Sequence, residues 1–343
     1  MKKCIIYLKV FTLGGESLNI YDIAEKAQVS IATVSRVINN SGKVSEKTRR
    51  RVKEIMREEK YVPNAFARGL GLNSMKMVGV MCTDITDPFY ARAVGAIESL
   101  LRSNGMDTVL CCTGNELSDK KRSLKALVDR KVDAVILIGS AFREKNDNSH
   151  ICAAAERLPV IIINGYISAP GVYCVLCDER RAIRRTVSAL YRQGCRNIAY
   201  IYDADTYSGR EKRSGYAEGC RENGINECCL LSERSTDGAY KTVKQLFSVG
   251  EPDAVIAAED LLAAGALRAL EEMGKAIPVV GFNNSVIAEC TSPQLTSVDN
   301  LCESMCETAV RLISDIAAGK AAPQKTVLSA RLVKRKSFII DKW

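Results

Sequence analysis

The apolar positions of this chain change rhythm near residue 76. From Leu18 to about residue 60 they recur at helical spacing in short, otherwise polar segments, with almost no strand signal. In Ile20–Ala27 the apolar members Ile20, Ile23, Ala24 and Ala27 fall on one face, and Asn19 is placed to cap that helix. A tight turn at Gln28 and Val29 leads to a second helix, capped by Ser30 and running to Asn39. Within VSIATVSRVIN, Val34, Val37 and Ile38 face inward, which leaves Ile31, Ala32, Thr33, Ser35 and Arg36 on the outer face. Ser45 then caps a third helix over 46–59, whose Val52, Ile55 and Met56 complete a three-helix core.

From Met77 the pattern alternates between strand and helix. Strands are expected at Met77–Cys82, Thr108–Cys112, Ala134–Ile138, Val160–Ile163, Ile198–Tyr202, Ala254–Ala257 and Pro278–Phe282. Helices are expected at Phe89–Ser103, Asp119–Arg130, Glu179–Gln193, Gly209–Asn223, Asp237–Phe247, Leu261–Met273 and Leu301–Ala318. Short continuous β-branched runs separated by helices indicate parallel sheets covered on both faces. There are too many strands for one small sheet, so the pattern predicts two doubly wound lobes, with ligand bound where strand carboxyl ends meet.

Charge sharpens the division. At 343 residues the chain fits two or three domains, and its net charge of +9 suits a polyanionic partner. Between Leu18 and Leu72 there are 11 Lys/Arg against 6 Asp/Glu, so more than half of the positive excess lies in that short stretch. No signal peptide is read ahead of the fourteen cysteines, so a reducing cytoplasm is expected and a disulfide framework is not. Cys82, Cys111, Cys112 and Cys174 sit in apolar runs as small hydrophobes. Cys174 and Cys177 have C-x-x-C spacing without a second pair, and His150, in a polar stretch read as a loop, is the only histidine. We therefore expect no metal and no other cofactor. No phosphate loop of G-x-x-x-x-G-K-[ST] form and no G-x-S-x-G elbow occurs, which speaks against an enzyme. No apolar run approaches about 20 residues, so no membrane span or membrane partner is expected. Cys4–Leu13 is apolar behind Lys2 and Lys3 but lacks a cleavage site. Gly14-Gly15-Glu16 can be encoded as a ribosome-binding site and Leu18 as a TTG start, so residues 1–17 are expected to be an extension absent from the natural protein.

LNIYDIAEKAQVSIATVSRVIN, followed by KVSEKTRRRV and YVPNAFARGL, closely resembles the lactose-repressor/galactose-repressor (LacI/GalR) family. A weaker resemblance continues to the C-terminus through TDPFY-like residues at 83–90, VVGFNNS at 279–285 and PQLTSVD at 293–299. The resemblance implies an N-terminal all-α helix-turn-helix domain followed by an α/β two-lobed, periplasmic-binding-protein-like domain of doubly wound parallel sheets. The expected division is 18–62 for DNA binding, 63–75 for a hinge helix and linker, and 76–343 for ligand sensing and dimerisation. It places Ile31, Ala32 and Arg36 at base edges, Arg36 being able to contact guanine bidentately. Ser30, Thr33, Ser35, Asn39, Ser45 and Thr48 become phosphate contacts. Lys47, Arg49, Arg50 and Arg51 add non-specific attraction. Asn64, Ala67 and Leu70 belong to a hinge helix that orders on DNA, with Leu70 as a minor-groove wedge.

For the sensing domain the resemblance transfers Asp84, Phe89, Asn164, Lys212, Glu259 and Asn283 to the ligand pocket. Lys212 stands where many relatives have arginine, Glu259 where Asn is frequent and Asn283 where Asp is frequent; Arg213 is an alternative source of the guanidinium. The expected protein is a cytoplasmic homodimeric transcription factor, more a repressor than an activator, on a palindromic double-stranded DNA operator. A sugar or related metabolite would control it. A phosphorylated carrier protein acting as corepressor is the alternative within the family. A solute-binding protein, which would share the lobes, has no reason to carry the helix-turn-helix.

Overall fold

The computed structural model describes residues 20–38, 42–59, 61 and 75–339, and the chain divides into two units, Met1–Met75 and Lys76–Trp343. In the first unit, α1 (Ile20–Ala27), α2 (Ile31–Ile38) and α3 (Glu46–Glu58) enclose Ile23, Ala24, Ala27, Val34, Val37 and Val52. α1 stops because Gln28 turns left-handed. The Gln28 amide then donates to the Glu25 carbonyl and the Val29 amide to the Ala24 carbonyl, which closes the helix end in a Schellman arrangement. Ser30 Oγ accepts from the Thr33 amide at 3.2 Å and Ser45 Oγ from the Thr48 amide at 3.2 Å, so both later helices begin on a hydroxyl cap. Asn19 and Asn39 lie outside the described residues.

The second unit opens with β1 (Met77–Cys82), α4 (Pro88–Ser103), β2 (Asp107–Cys112), α5 (Leu117–Asp129) and β3 (Ala134–Ile138). Next come α6 (Ser149–Ala155), β4 (Val160–Ile163), β5 (Val172–Cys177), α7 (Glu179–Arg192), β6 (Ile198–Tyr202) and α8 (Tyr207–Asn223). β7 (Cys228–Leu231), α9 (Thr236–Val249), β8 (Ala254–Ala257), α10 (Asp260–Glu272), β9 (Val279–Phe282) and α11 (Val286–Cys290) follow. β10 (Thr296–Asp299), α12 (Cys302–Ala317), β11 (Lys325–Leu328) and β12 (Arg331–Val333) complete it. Two six-stranded sheets result, in the orders β11-β5-β4-β3-β1-β2 and β12-β10-β9-β8-β6-β7. The first is parallel throughout, and the second is parallel except for β12 against β10.

Each sheet reverses its strand order beside its first strand, β1 or β6. At such a reversal the helices leave on opposite faces and a crevice opens above the strand carboxyl ends. Each sheet buries apolar side chains on both faces, which is why β3 and β4 read as unbroken apolar runs. Cys174 and Cys177 fall in cores on opposite faces of the first sheet, so they cannot share a metal. The chain passes between lobes at 178, at 300–301 and at 329–330. There the Asp178 amide donates to the Leu328 carbonyl, and Arg331 holds buried Asp299 through contacts of 2.9 and 2.8 Å.

Differences from the sequence reading concentrate in strands. β5, β7, β10, β11 and β12 and the short α6 and α11 were not anticipated, and His150 lies in α6 instead of a loop. β7 and β11 are sheet edges with alternately exposed residues, too short to give a periodic signal. No helix among the described residues is long and apolar enough to cross a membrane.

The three-helix core is small, so a single truncation in it should be felt locally. Ile23→Ala removes a fully buried side chain and should cost about 2–5 kcal/mol. Amide hydrogen exchange on the full chain should show α1–α3 losing protection while β1–β4 keep theirs; equal loss in both would contradict independent cores.

Candidate functional site

Two places concentrate exposed or cavity-facing polar chemistry, one in each unit. In the first, the α1–α3 core takes the inner side of α2 and leaves the other side outward. Ile31 is 39% exposed, Ala32 and Arg36 are exposed, and Thr33 and Ser35 are half-buried. The stem of Arg36 runs beside Gly42, whose left-handed backbone brings the loop close to it. Ser30 and Ser45 are exposed caps, and Thr48 shares the Ser45 cap at 2.8 Å. Lys47, Arg50 and Arg51 are exposed along α3 and Arg49 is half-buried near Glu46, giving one side of this unit a positive rim. Asn39, Asn64, Ala67 and Leu70 lie outside the described residues.

In the second unit the facing strand ends enclose a cavity of about 80 Å³, which opens into a wider groove of about 400 Å³ past Ser140 and Thr206. The first lobe contributes Asp87 and Phe89 after β1, Gly139 and Ser140 after β3, and Asn164 after β4. Asp87 has two tasks. Its Oδ1 accepts from the Phe89 amide at 2.7 Å, capping α4 ahead of Pro88, while Oδ2 receives Arg234 from the other lobe. Gly139 permits this wall: its φ is +100°, and a Cβ there would collide with the Tyr90 ring and hydroxyl.

Lys212 and Glu179 form the buried floor. Lys212 is 5% exposed; its Nζ donates to the Ala258 carbonyl at 3.0 Å, lies 4.2 Å from the Phe282 ring centre and approaches Glu179 at 3.8 Å. Glu179 also accepts from Asn164 Nδ2 at 3.0 Å. Burial pushes the Glu179 carboxyl above its ordinary range, and Lys212 opposes that push. Asn164, left-handed at φ +62°, accepts the Cys177 amide on its Oδ1, so both ends of its side chain are engaged.

Arg234 is the centre of the site. It follows β7, and its guanidinium meets Glu259 at 3.0 and 3.2 Å, Asp203 at 3.3 Å, and Asp87. Burial disfavours its charge, but Glu259, Asp87 and Asp203 outweigh burial and hold it protonated. Asp87 belongs to the first lobe and the other partners to the second, so this ion cluster ties the lobes together. Lys145 pairs with Asp205, and Arg92 donates to the Asn284 carbonyl at 3.1 Å, at other points of the same closure.

Five of the expected pocket residues are brought together here: Phe89, Asn164, Lys212, Glu259 and Asn283. Asp84 and Arg213 are not. Asp84 is exposed and accepts from the Thr86 amide and hydroxyl at 2.9 and 2.7 Å, closing its own turn, and these bonds lower its carboxyl below the usual range. Asp87, at the helix cap, is the carboxylate that reaches the cavity. Arg213 lies over the Tyr202 ring at 5.3 Å and near Asp205, away from the cavity, so the guanidinium comes from Arg234. Asp87, Glu179, Asp203 and Arg234 are cavity residues outside the expected set. The available signal was that charged residues stand at or just beyond strand carboxyl ends.

Known proteins share this layout. Residues 19–64 match the family described as bacterial regulatory proteins, lacI family, and residues 187–338 match a periplasmic binding protein-like domain. An HTH-type transcriptional regulator of Lachnoclostridium phytofermentans is 43% identical over 333 residues, covering 93% of this chain and 99% of that one. This chain belongs to the LacI family of bacterial transcriptional regulators. Its structure is similar to the Lac repressor dimer bound to operator and an anti-inducer, with a TM-score of 0.83 and 26% identity over 94% of this chain and 99% of that one. It is also similar to the regulator CelR in complex with cellobiose, at 0.68 and 28% over 94% and 100%. As a LacI-family member the chain is a DNA-binding regulator with a ligand-binding domain and not an enzyme.

Glu259 supplies a pH-dependent property of that cavity. Burial and neighbouring Asp203 push its carboxyl up to about 7, against the pull of Arg234. The folded protein therefore holds this proton more tightly than the unfolded chain, and stability from the group is lost as pH rises from about 4.5 toward 7. Glu259→Gln should match the wild type more closely near pH 5 and gain in thermal stability relative to it at pH 8. A difference in melting temperature that does not vary with pH would contradict the assignment.

Proposed function

We propose that this LacI-family regulator is a cytoplasmic homodimeric repressor that reads a palindromic operator and is controlled by a small polyhydroxylated effector in the interlobe cavity. The observation that carries the DNA reading is the outer face of α2, where exposed Ile31, Ala32 and Arg36 stand free of the core that holds the helix. Arg36 reads guanine through its bidentate fork, and Ile31 and Ala32 give apolar contact to a base such as thymine. Ser30, Thr33, Ser35, Asn39, Ser45 and Thr48 hold phosphates and set register. Asn64, Ala67 and Leu70 form the hinge, with Leu70 entering the minor groove.

Dimerisation is supported by the sheet edges. Among the described residues β2 and β7 each close one sheet with an unpaired edge, and Leu110 and Leu231 are 40% and 66% exposed there. Unpaired apolar edges are covered in stable proteins, and a two-fold partner covers both at once. The effector reading is supported by hydroxyl, amide and aromatic groups around one interlobe cavity and by the cellobiose held in the CelR complex. Ligand changes the operator affinity only through its unequal affinity for two lobe arrangements.

Selection of random duplexes followed by binding assays tests the DNA reading. Arg36→Ala should relax preference at one operator position, a loss of about 1–3 kcal/mol of discrimination. Arg50→Ala should weaken specific and random duplexes alike. Equal losses on both kinds of DNA for both variants would contradict this division of labour.

A further inference from the structure

The cavity carries more negative charge than its own cations neutralise. Glu179 is matched by Lys212 at 3.8 Å and by the Asn164 amide. That leaves Asp87, Asp203 and Glu259 to share the single guanidinium of Arg234. Three carboxylates against one cation in a partly dried site repel one another, and Asp203 adds to the burial that pushes the Glu259 carboxyl up. The remaining lining is uncharged: Ser140, Thr206 and Asn283 offer hydroxyl and amide groups, and Phe89 offers an apolar wall.

We propose that the effector is a polyhydroxylated molecule carrying a primary ammonium group, an amino sugar, with Asp203 and Glu259 as the residues that select its charge. This rests on the effector reading above and narrows it. An ammonium is a compact charge with three donors, suited to bridge carboxylates that one planar guanidinium cannot fully satisfy. A hydroxyl at the same place donates one hydrogen bond and neutralises nothing. A carboxylate or phosphate would add a like charge to the cluster, and such juxtaposition rejects a ligand. The hydroxyls of the sugar take the neutral groups, and its apolar face lies against Phe89.

Calorimetric titration of the full chain with matched saccharides tests this. Each set contains an amine, its neutral parent and its anionic counterpart: glucosamine, glucose, glucuronate and glucose 6-phosphate, the galactose equivalents, and the glucosamine disaccharide beside cellobiose. In the set that fits the cavity, the amine should bind about tenfold or more tightly than the neutral parent, with no binding of the anions. Glu259→Gln and Asp203→Asn should each lower the ratio of amine affinity to neutral-parent affinity about tenfold. A neutral parent binding as well as its amine, or binding by an anion, overturns the charge assignment and leaves the effector reading standing. Absence of binding by every saccharide overturns both.

Discussion

The Arg234 guanidinium forms the most heavily charged of the contacts that join the two lobes of the sensing unit. Arg234 is held by Asp203 and Glu259 of its own lobe and by Asp87 of the other. The Arg234 side chain stays 43% exposed, and its partners lie on elements that move separately if the lobes part. Opening the lobes therefore separates Asp87 from Arg234 unless a ligand or water replaces it. Asp87, Asp203, Arg234 and Glu259 all line the cavity. Closure and charge meet at that contact.

Its position follows from the topology. Both sheets reverse strand order, so both present their carboxyl ends to the same crevice, and each cavity residue stands near a strand end or on a helix that flanks it. The close packing of α7 on α8 fixes Lys212: Gly215, one turn further along, lies so near the Arg180 carbonyl that a Cβ would meet it at 2.1 Å. Three chain passages tie the lobes at one side and leave the other to open, a geometry suited to hinged closure over a ligand.

Much of this was legible in the sequence. The helix-turn-helix pattern separates inward Val34 and Val37 from outward Ile31 and Arg36, and both sets lie where helical spacing puts them. Alternating strand and helix signals gave the two parallel lobes. Arg234 was hidden because β7 was: Cys228–Leu231 is a four-residue edge strand, and without it the chain between α8 and α9 reads as a loop with no strand end to mark. Asp87 was obscured by Asp84 three residues earlier, although the Asp-Pro pair is itself a helix-start signal that separates them. Arg213 illustrates the limit of transferring a residue by register. One position along α8 from buried Lys212, it points to a different neighbour altogether.

On the proposed function, operator affinity depends on the lobe arrangement, and the Asp87–Arg234 contact exists only with the lobes together. Asp87→Asn isolates it, since asparagine caps a helix as well as aspartate does but cannot neutralise the guanidinium. The direct measurement is operator affinity of this variant and the wild type at one salt concentration, without ligand. The account requires a several-fold change in affinity with the same sequence preference. An unchanged dissociation constant, in a variant that folds and melts normally, would contradict it.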